Sequence, residues 1–165
     1  MSRDVIVKTS EINGLGVFAA RAFAAGDVVL TIDDSFEVSA DHPVPDGEEH
    51  HCDYLERGRV VWMGIPERYI NHSCDPNVYV LTLSGVRRVL ARRNIEAGDE
   101  IAYDYCVNGY GDVVWTCHCG AARCRQTIHS DFFHLPFHLQ REYAPLLDHW
   151  FCTERARELQ DLRLV

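Results

Sequence analysis

The sequence predicts a mainly β fold of small sheets, followed by a helical tail. Three observations carry that prediction. Up to Trp115, apolar residues alternate with period two in short runs separated by Gly, Pro and Asn, and no run has the spacing of a three-turn helix. One strand-turn-strand pattern occurs twice. Beyond Cys124 the apolar spacing changes to that of amphipathic helices. At 165 residues, one domain with an appendage can bury a core without disulfide staples.

In chain order, Val5-Ile6-Val7-Lys8-Thr9 reads as the first strand, broken at Asn13-Gly14-Leu15-Gly16 by residues that tolerate positive φ. Gly14-Leu15-Gly16-Val17-Phe18-Ala19 also matches the G-x-G-x-x-G/A dinucleotide fingerprint. That match fails, because too few residues separate Phe18 from the turn at Gly26-Asp27 for a crossover helix. The better account is the echo of Ala19-x-Arg21-x-Phe23-x-Ala25-Gly26-Asp27-x-Val29 in Ala91-x-Arg93-x-Ile95-x-Ala97-Gly98-Asp99-x-Ile101, two related β substructures. Residues 28–32 continue as a strand. The segment that follows, with Pro43, Pro45 and Gly47, reads as loop with a short helix over 48–55, and 60–63 as a short strand. Residues 78–83 and 86–90, joined by Ser84-Gly85, form the clearest hairpin. In the tail, Pro136 opens a helix with Leu135, Leu139 and Tyr143 on one face, and Pro145 opens a second presenting Leu146, Leu147, Trp150 and Phe151. Residues 154–163 favour a further helix, and the tail is expected to be a packing appendage.

The net charge of −9 is concentrated in one place. Nine acidic residues and no Lys or Arg lie between Asp33 and Glu56, while the rest of the chain balances at sixteen of each sign. Such a block is either a solvated loop or a docking surface for a basic partner, and it would repel nucleic acid. No apolar run is long enough to cross a bilayer, so no membrane partner is expected. Seven cysteines, an odd count, and no apolar leader argue against a disulfide framework. A reduced compartment is expected, cytoplasmic, or nuclear in a eukaryotic source.

The chain is organised around Tyr69-Ile70-Asn71-His72-Ser73-Cys74-Asp75-Pro76-Asn77, a polar loop that turns on Asp-Pro-Asn and is equipped to hold something. Cys117, Cys119 and Cys124, spaced Cys-x-Cys-x4-Cys, leave a tetrahedral zinc site one ligand short. Cys74, Cys106, Cys52, His118 and His129 are candidates for the fourth. His118 would point away from its two neighbours, and Cys106 lies in an expected strand, so Cys74 is the first choice. Four thiolates and no water would make one Zn2+ per chain structural.

Gly14-Leu15-Gly16-Val17-Phe18-Ala19, Asn71-His72-Ser73-Cys74-Asp75-Pro76-Asn77, Ala97-Gly98-Asp99-Glu100-Ile101-Ala102-Tyr103-Asp104-Tyr105 and Cys117-His118-Cys119-Gly120-Ala121-Ala122-Arg123-Cys124-Arg125 together resemble, in order, the signature segments of SET-domain protein-lysine methyltransferases with a cysteine-rich post-SET segment. Two departures stand out: Leu15 occupies a position where many relatives carry Trp, and Gln126 one where Gly is common. The resemblance implies small β-sheets with a pseudoknot in which the Asn-His and Tyr-Asp-Tyr segments thread past each other. It implies a SET domain over 1–116 with a substrate-facing acidic insert at 33–62, a zinc-binding segment at 117–128 and an appendage at 129–165. It further implies S-adenosylmethionine as methyl donor, held by Gly14, Leu15, Gly16, Asn71, His72 and Tyr105. Tyr105 would stand at the transfer site with Tyr103, and Cys74, Cys117, Cys119 and Cys124 would hold the zinc. The expected activity is methyl transfer to a lysine of a basic protein or peptide, a histone or another, with Tyr103 favouring monomethylation. The alternative is a zinc-braced binding module for basic peptides with weak or no transferase activity.

Overall fold

The computed structural model describes residues 4–164, and its body consists of four small sheets. In the first, β1 (Val5–Thr9) and β2 (Leu15–Ala19) are antiparallel, β2 pairs with β9 (Glu100–Tyr103), and β6 (Asn71–His72) lies parallel to β9. In the second, β7 (Val78–Leu83) and β8 (Val86–Ala91) form the expected hairpin, and β3 (Val28–Thr31) pairs with β8 across a register shift. Two hairpins, β4 (Cys52–Tyr54) with β5 (Val60–Trp62) and β10 (Val114–Thr116) with β11 (Thr127–His129), complete the β structure.

The two echoing segments pair with each other about a local pseudo-twofold axis. Phe23 and Ile95, equivalent in the two copies, exchange backbone hydrogen bonds of 2.9 Å. Ala19 bonds to Gly98 and Asp99, as its equivalent Ala91 bonds to Gly26 and Asp27. Each turn is closed alike, Asp27 accepting from the Ala24 N–H and Asp99 from the Glu96 N–H, both at 2.9 Å. Gly26 and Gly98 take φ of 90° and 96°, which a Cβ would strain.

The apolar faces bury two cores. The first joins β1, β2, β3, β7, β8 and β9 through Val17, Val29, Val89, Ile95 and Ile101, each at most 2% exposed. The second gathers Cys74 and the cysteine segment onto the tail, with Phe132, Tyr143, Phe151 and Leu159 fully buried. The tail contains α1 (Phe137–Tyr143), α2 (His149–Glu154) and α3 (Ala156–Asp161). Among the described residues, no helix is long and apolar enough to cross a membrane.

Several local expectations need correction. The helix expected at 48–55 is one 3-10 turn, Glu49–His51, running into β4, because Cys52–Tyr54 finds a partner in β5. Pro145 opens only the 3-10 turn Ala144–Leu146; α2 begins after Asp148, whose carboxylate accepts from the Trp150 N–H. Gly14 breaks the chain at φ 47°, yet Leu15 and Gly16 already belong to β2. Cys106 lies not in a strand but in the turn after β9, where its thiol donates to the His129 carbonyl at 3.0 Å.

Candidate active site and thiol cluster

The Asn-His stretch is not wholly a loop, since Asn71 and His72 form β6, buried beside β9. Beyond it the chain turns back on β9, with the Ser73 N–H bonding to the Tyr103 carbonyl and Asn77 taking the part of a strand neighbour. Its carboxamide donates to the Glu100 carbonyl at 2.8 Å and accepts from the Ala102 N–H at 2.9 Å. Asn71 holds the opposite side. Its Nδ2 lies 3.2 Å from the Asn13 carbonyl, 3.0 Å from that of Leu15 and 2.9 Å from Glu100 Oε1, and Ser10 Oγ donates to the same carboxylate at 2.7 Å. Gly16 is required here, because a Cβ would collide with that carboxylate and with Ser10.

A cavity of 980 Å³ opens along this edge. Asn13, Gly14, Leu15 and Asn71 line one part, Tyr103, Tyr105 and Trp115 another, and residues 49–55 of the acidic insert a third. Gly16 and His72 stand behind the wall. Tyr103 and Tyr105 have ring centroids 4.8 Å apart although Tyr105 lies just past the strand end, and the Tyr105 hydroxyl donates to the Ile70 carbonyl at 2.8 Å. Burial, together with the charge of Asp53, holds both phenols well above the ordinary tyrosine range.

His72 is neutral. Burial pushes its pKa down to about 4 against the pull of Asp104. Its Nδ1 accepts from the Tyr105 N–H at 3.1 Å, which leaves the ring proton on Nε2, 3.5 Å from Cys74 Sγ.

The sulfurs of Cys74, Cys117, Cys119 and Cys124 all lie within 4.8 Å of one another. Tetrahedral thiolates at ~2.3 Å from zinc stand ~3.8 Å apart, so a small inward movement suits the ion. Backbone N–H groups already point at the sulfurs, Cys74 to Cys119 and Arg125 to Cys74, both at 3.4 Å. Burial raises Cys74 to about 11. At Cys119 the donors from Cys74 and Ala121 outweigh burial and bring the thiol down to about 7. Such a dense set of buried thiols, with donors aimed at sulfur, suits thiolates around a cation better than free thiols.

The acidic insert is less one-signed than its sequence. Arg87, itself buried, forks onto Asp34 and also pairs with Asp53; Arg59 reaches Glu37 at 3.3 Å and Glu56 at 3.2 Å, and Arg68 reaches Glu48 at 3.4 Å. Arg59 and Arg68 come from just beyond the block and Arg87 from the β7–β8 hairpin, where a count inside the block does not see them. Trp115, Arg87 and, from the tail, Asp148 and Trp150 also line the cavity and carry no signal in the sequence as site residues, whereas Asp53 belongs to the acidic block expected to face substrate. Asp104 was readable only as the middle of Tyr-Asp-Tyr, and Arg125 as the residue after the last cysteine.

The SET domain family model matches residues 14–106, which contain the Gly14–Gly16 edge, Asn71, His72 and both tyrosines. The chain belongs to the SET domain family. Similar SET-domain proteins include the histone-lysine N-methyltransferase ATX2 of Arabidopsis thaliana, 28% identical over 139 residues, 73% of this chain and 12% of that protein. Another is the histone-lysine N-methyltransferase set1 of Dictyostelium discoideum, 32% identical over 72% of this chain and 9% of its own length. The chain thus spans a small part of these relatives. Among solved structures, KRYPTONITE in complex with mCHH DNA, H3(1-15) peptide and SAH superposes with a TM-score of 0.58 at 22% identity, over 76% of this chain and 29% of that one. A Plasmodium falciparum putative histone methyltransferase gives a TM-score of 0.52 at 22% identity, over 64% of this chain and 95% of that one. These likenesses establish the SET fold, small sheets with β6 tucked beside β9.

Proposed function

We propose that this SET domain transfers a methyl group from S-adenosylmethionine to the side-chain amine of a lysine in a basic protein or peptide, with histone tails among its substrates. One observation carries the reading: a single cavity joins the Asn13–Leu15 edge, the paired phenols and the acidic insert. The SAH in the KRYPTONITE structure, the demethylated form of that donor, and its H3(1-15) peptide support the same assignment, as do the histone-lysine methyltransferases among the relatives.

The donor supplies a methyl group activated on a sulfonium. The Gly14–Leu15 backbone, braced by the Asn71 carboxamide, would hold its adenosine end, and the Asn71-His72 strand and Tyr105 would set its depth. Glu49 and Asp112 on the wall would draw a cationic side chain inward, Asp53 being held by Arg87. Deeper, the phenols replace bulk water and favour the neutral amine. The lysine ammonium would lose its proton to water on reaching this wall, and its lone pair would then take the methyl group that the sulfonium supplies, the neutral thioether leaving. Tyr105, its own proton committed to Ile70, offers lone pairs that orient the amine, and alignment does most of the work. The Tyr103 hydroxyl narrows the place where a second methyl would sit, so monomethylation is the product we assign. Cys74, Cys117, Cys119 and Cys124 would hold one Zn2+ with no open position, a structural role.

Intact-mass spectrometry of basic proteins incubated with isotopically labelled S-adenosylmethionine tests this. Labelled single increments are expected from the wild type and about a hundredfold fewer from Tyr105→Phe. Tyr103→Phe should shift product toward higher methylation. Unlabelled substrates despite bound donor would leave a peptide-binding module, and mainly trimethylated wild-type product would refute the role given to Tyr103.

A further inference from the structure

We infer that the buried Asp104–Arg125 ion pair is a positioning device that ties the thiol cluster to the Tyr105 backbone, making Arg125 a residue on which alignment for methyl transfer depends. The observation is a closed circuit of contacts. Asp104 is fully buried in its side chain and takes both arms of Arg125, Oδ2 from Nη1 at 2.6 Å and Oδ1 from Nη2 at 2.9 Å. The same Oδ1 accepts from the Cys106 N–H at 3.1 Å, so the carboxylate braces the turn that carries Tyr105 from within. The Arg125 backbone N–H points at Cys74 Sγ at 3.4 Å, and Cys74 Sγ faces His72 Nε2 at 3.5 Å. His72 Nδ1 accepts the Tyr105 N–H, which returns the circuit to the residue beside Asp104.

Two features make this more than a structural brace. The pair joins segments with different tasks, Asp104 between the two phenols and Arg125 directly after the last cysteine of the cluster. A bidentate guanidinium–carboxylate contact also fixes orientation as well as distance, which a point charge does not. A movement of the cysteine segment as its sulfurs close on a cation is therefore passed to the Tyr105 turn by two routes, through Arg125 to Asp104 and through Cys74 to His72. Neither Asp104 nor Arg125 lines the cavity, so the pair acts on alignment and not on affinity.

The test replaces Arg125 by Met and by Lys and reads each protein in two ways. The first reading needs neither donor nor substrate: hydrogen exchange of the Tyr105 amide by NMR on tyrosine-selective 15N-labelled protein, alongside zinc content by elemental analysis. The second is the split of kcat against KM, and it rests on the function proposed above. Loss of the fork is expected to speed Tyr105 amide exchange about tenfold or more with zinc content kept, since the Arg125 backbone donor to Cys74 survives the substitution. In the same variants kcat should fall by about tenfold with both KM values within twofold, and Arg125→Lys should recover part of both effects. If Arg125→Met loses zinc or fails to fold, Arg125→Lys alone is read by the same criteria. Amide exchange and kcat both within twofold of wild type in a zinc-loaded variant would overturn the inference. Faster exchange in a protein without methyl transfer would uphold the coupling and refute the assigned activity instead.

Discussion

Replacing Gly16 by Ala should cost far more than its one methyl group suggests. The added Cβ would lie 2.4 Å from Glu100 Oε1 and 2.9 Å from Ser10 Cβ, so something must move. Glu100 cannot yield cheaply, because Oε1 accepts from Ser10 Oγ at 2.7 Å and from Asn71 Nδ2 at 2.9 Å. Displacing it forfeits two charge-assisted hydrogen bonds worth about 1.5–3 kcal/mol each, of which roughly half is regained if water reaches the carboxylate. The expected loss is therefore ~1.5–3 kcal/mol in denaturant titration. Because Asn71 also braces the Asn13 and Leu15 carbonyls, S-adenosylmethionine should bind about tenfold more weakly by calorimetry. Gly14→Ala is the control. A Cβ there meets nothing within 4 Å, so only its φ of 47° is taxed, at about 1 kcal/mol. A Gly16→Ala protein no less stable than Gly14→Ala, with unchanged donor affinity, would refute the claim that Glu100 and Asn71 jointly support this edge.

Three further outcomes follow from the geometry. A strong chelator, or Cys74→Ser, should remove one zinc per chain and lower the melting midpoint by ~10 °C or more, because the thiol cluster lies within the core that holds the tail; unchanged melting with zinc gone would refute a structural ion. Gln126 sits at φ 64°, where an L side chain is strained, and its carbonyl accepts the Cys117 N–H, so Gln126→Gly should stabilise the chain by up to ~1 kcal/mol in chemical denaturation. Because Tyr103 and Tyr105 are both held above the ordinary phenol range, methyl transfer should rise with pH as lysine loses its proton and show no tyrosine-dependent fall below pH ~10; a descending limb abolished by Tyr105→Phe would contradict their neutrality.

Much of the fold was legible because period-two alternation and Gly turns act locally. The 78–90 hairpin follows from that alternation, and the echo of residues 19–29 in 91–101 marked two related units. The echo did not say that the units pair with each other, since alternation shows which face is buried and not what covers it. The cysteine spacing identified three sulfurs directly and Cys74 by elimination, and the structure collects these four although one ground for setting Cys106 aside, a strand, does not hold. Pro145 misled because a first-turn proline suits a 3-10 turn as well as an α-helix. In the sequence the tail shows only packing faces. Its Asp148 and Trp150 reach the cavity because Thr82, far away in sequence, donates both its N–H and hydroxyl to the Asp148 carboxylate, a pairing no local pattern encodes.

The pseudo-twofold exchange between Phe23 and Ile95, and between Ala19 and Ala91 with their opposite turns, also constrains the birth of the molecule. While the chain is being synthesised, β2 has β1 on one side and an open edge on the other, and the Ala19–Asp27 turn has no partner. Those edges remain unsatisfied until residues 91–101 emerge, so until then the segment before them is a sticky, half-made sheet. A nascent chain arrested before residue 91 should be chaperone-bound and protease-sensitive, and one arrested far enough beyond Ile101 to free that residue from the ribosome should close both sheets together.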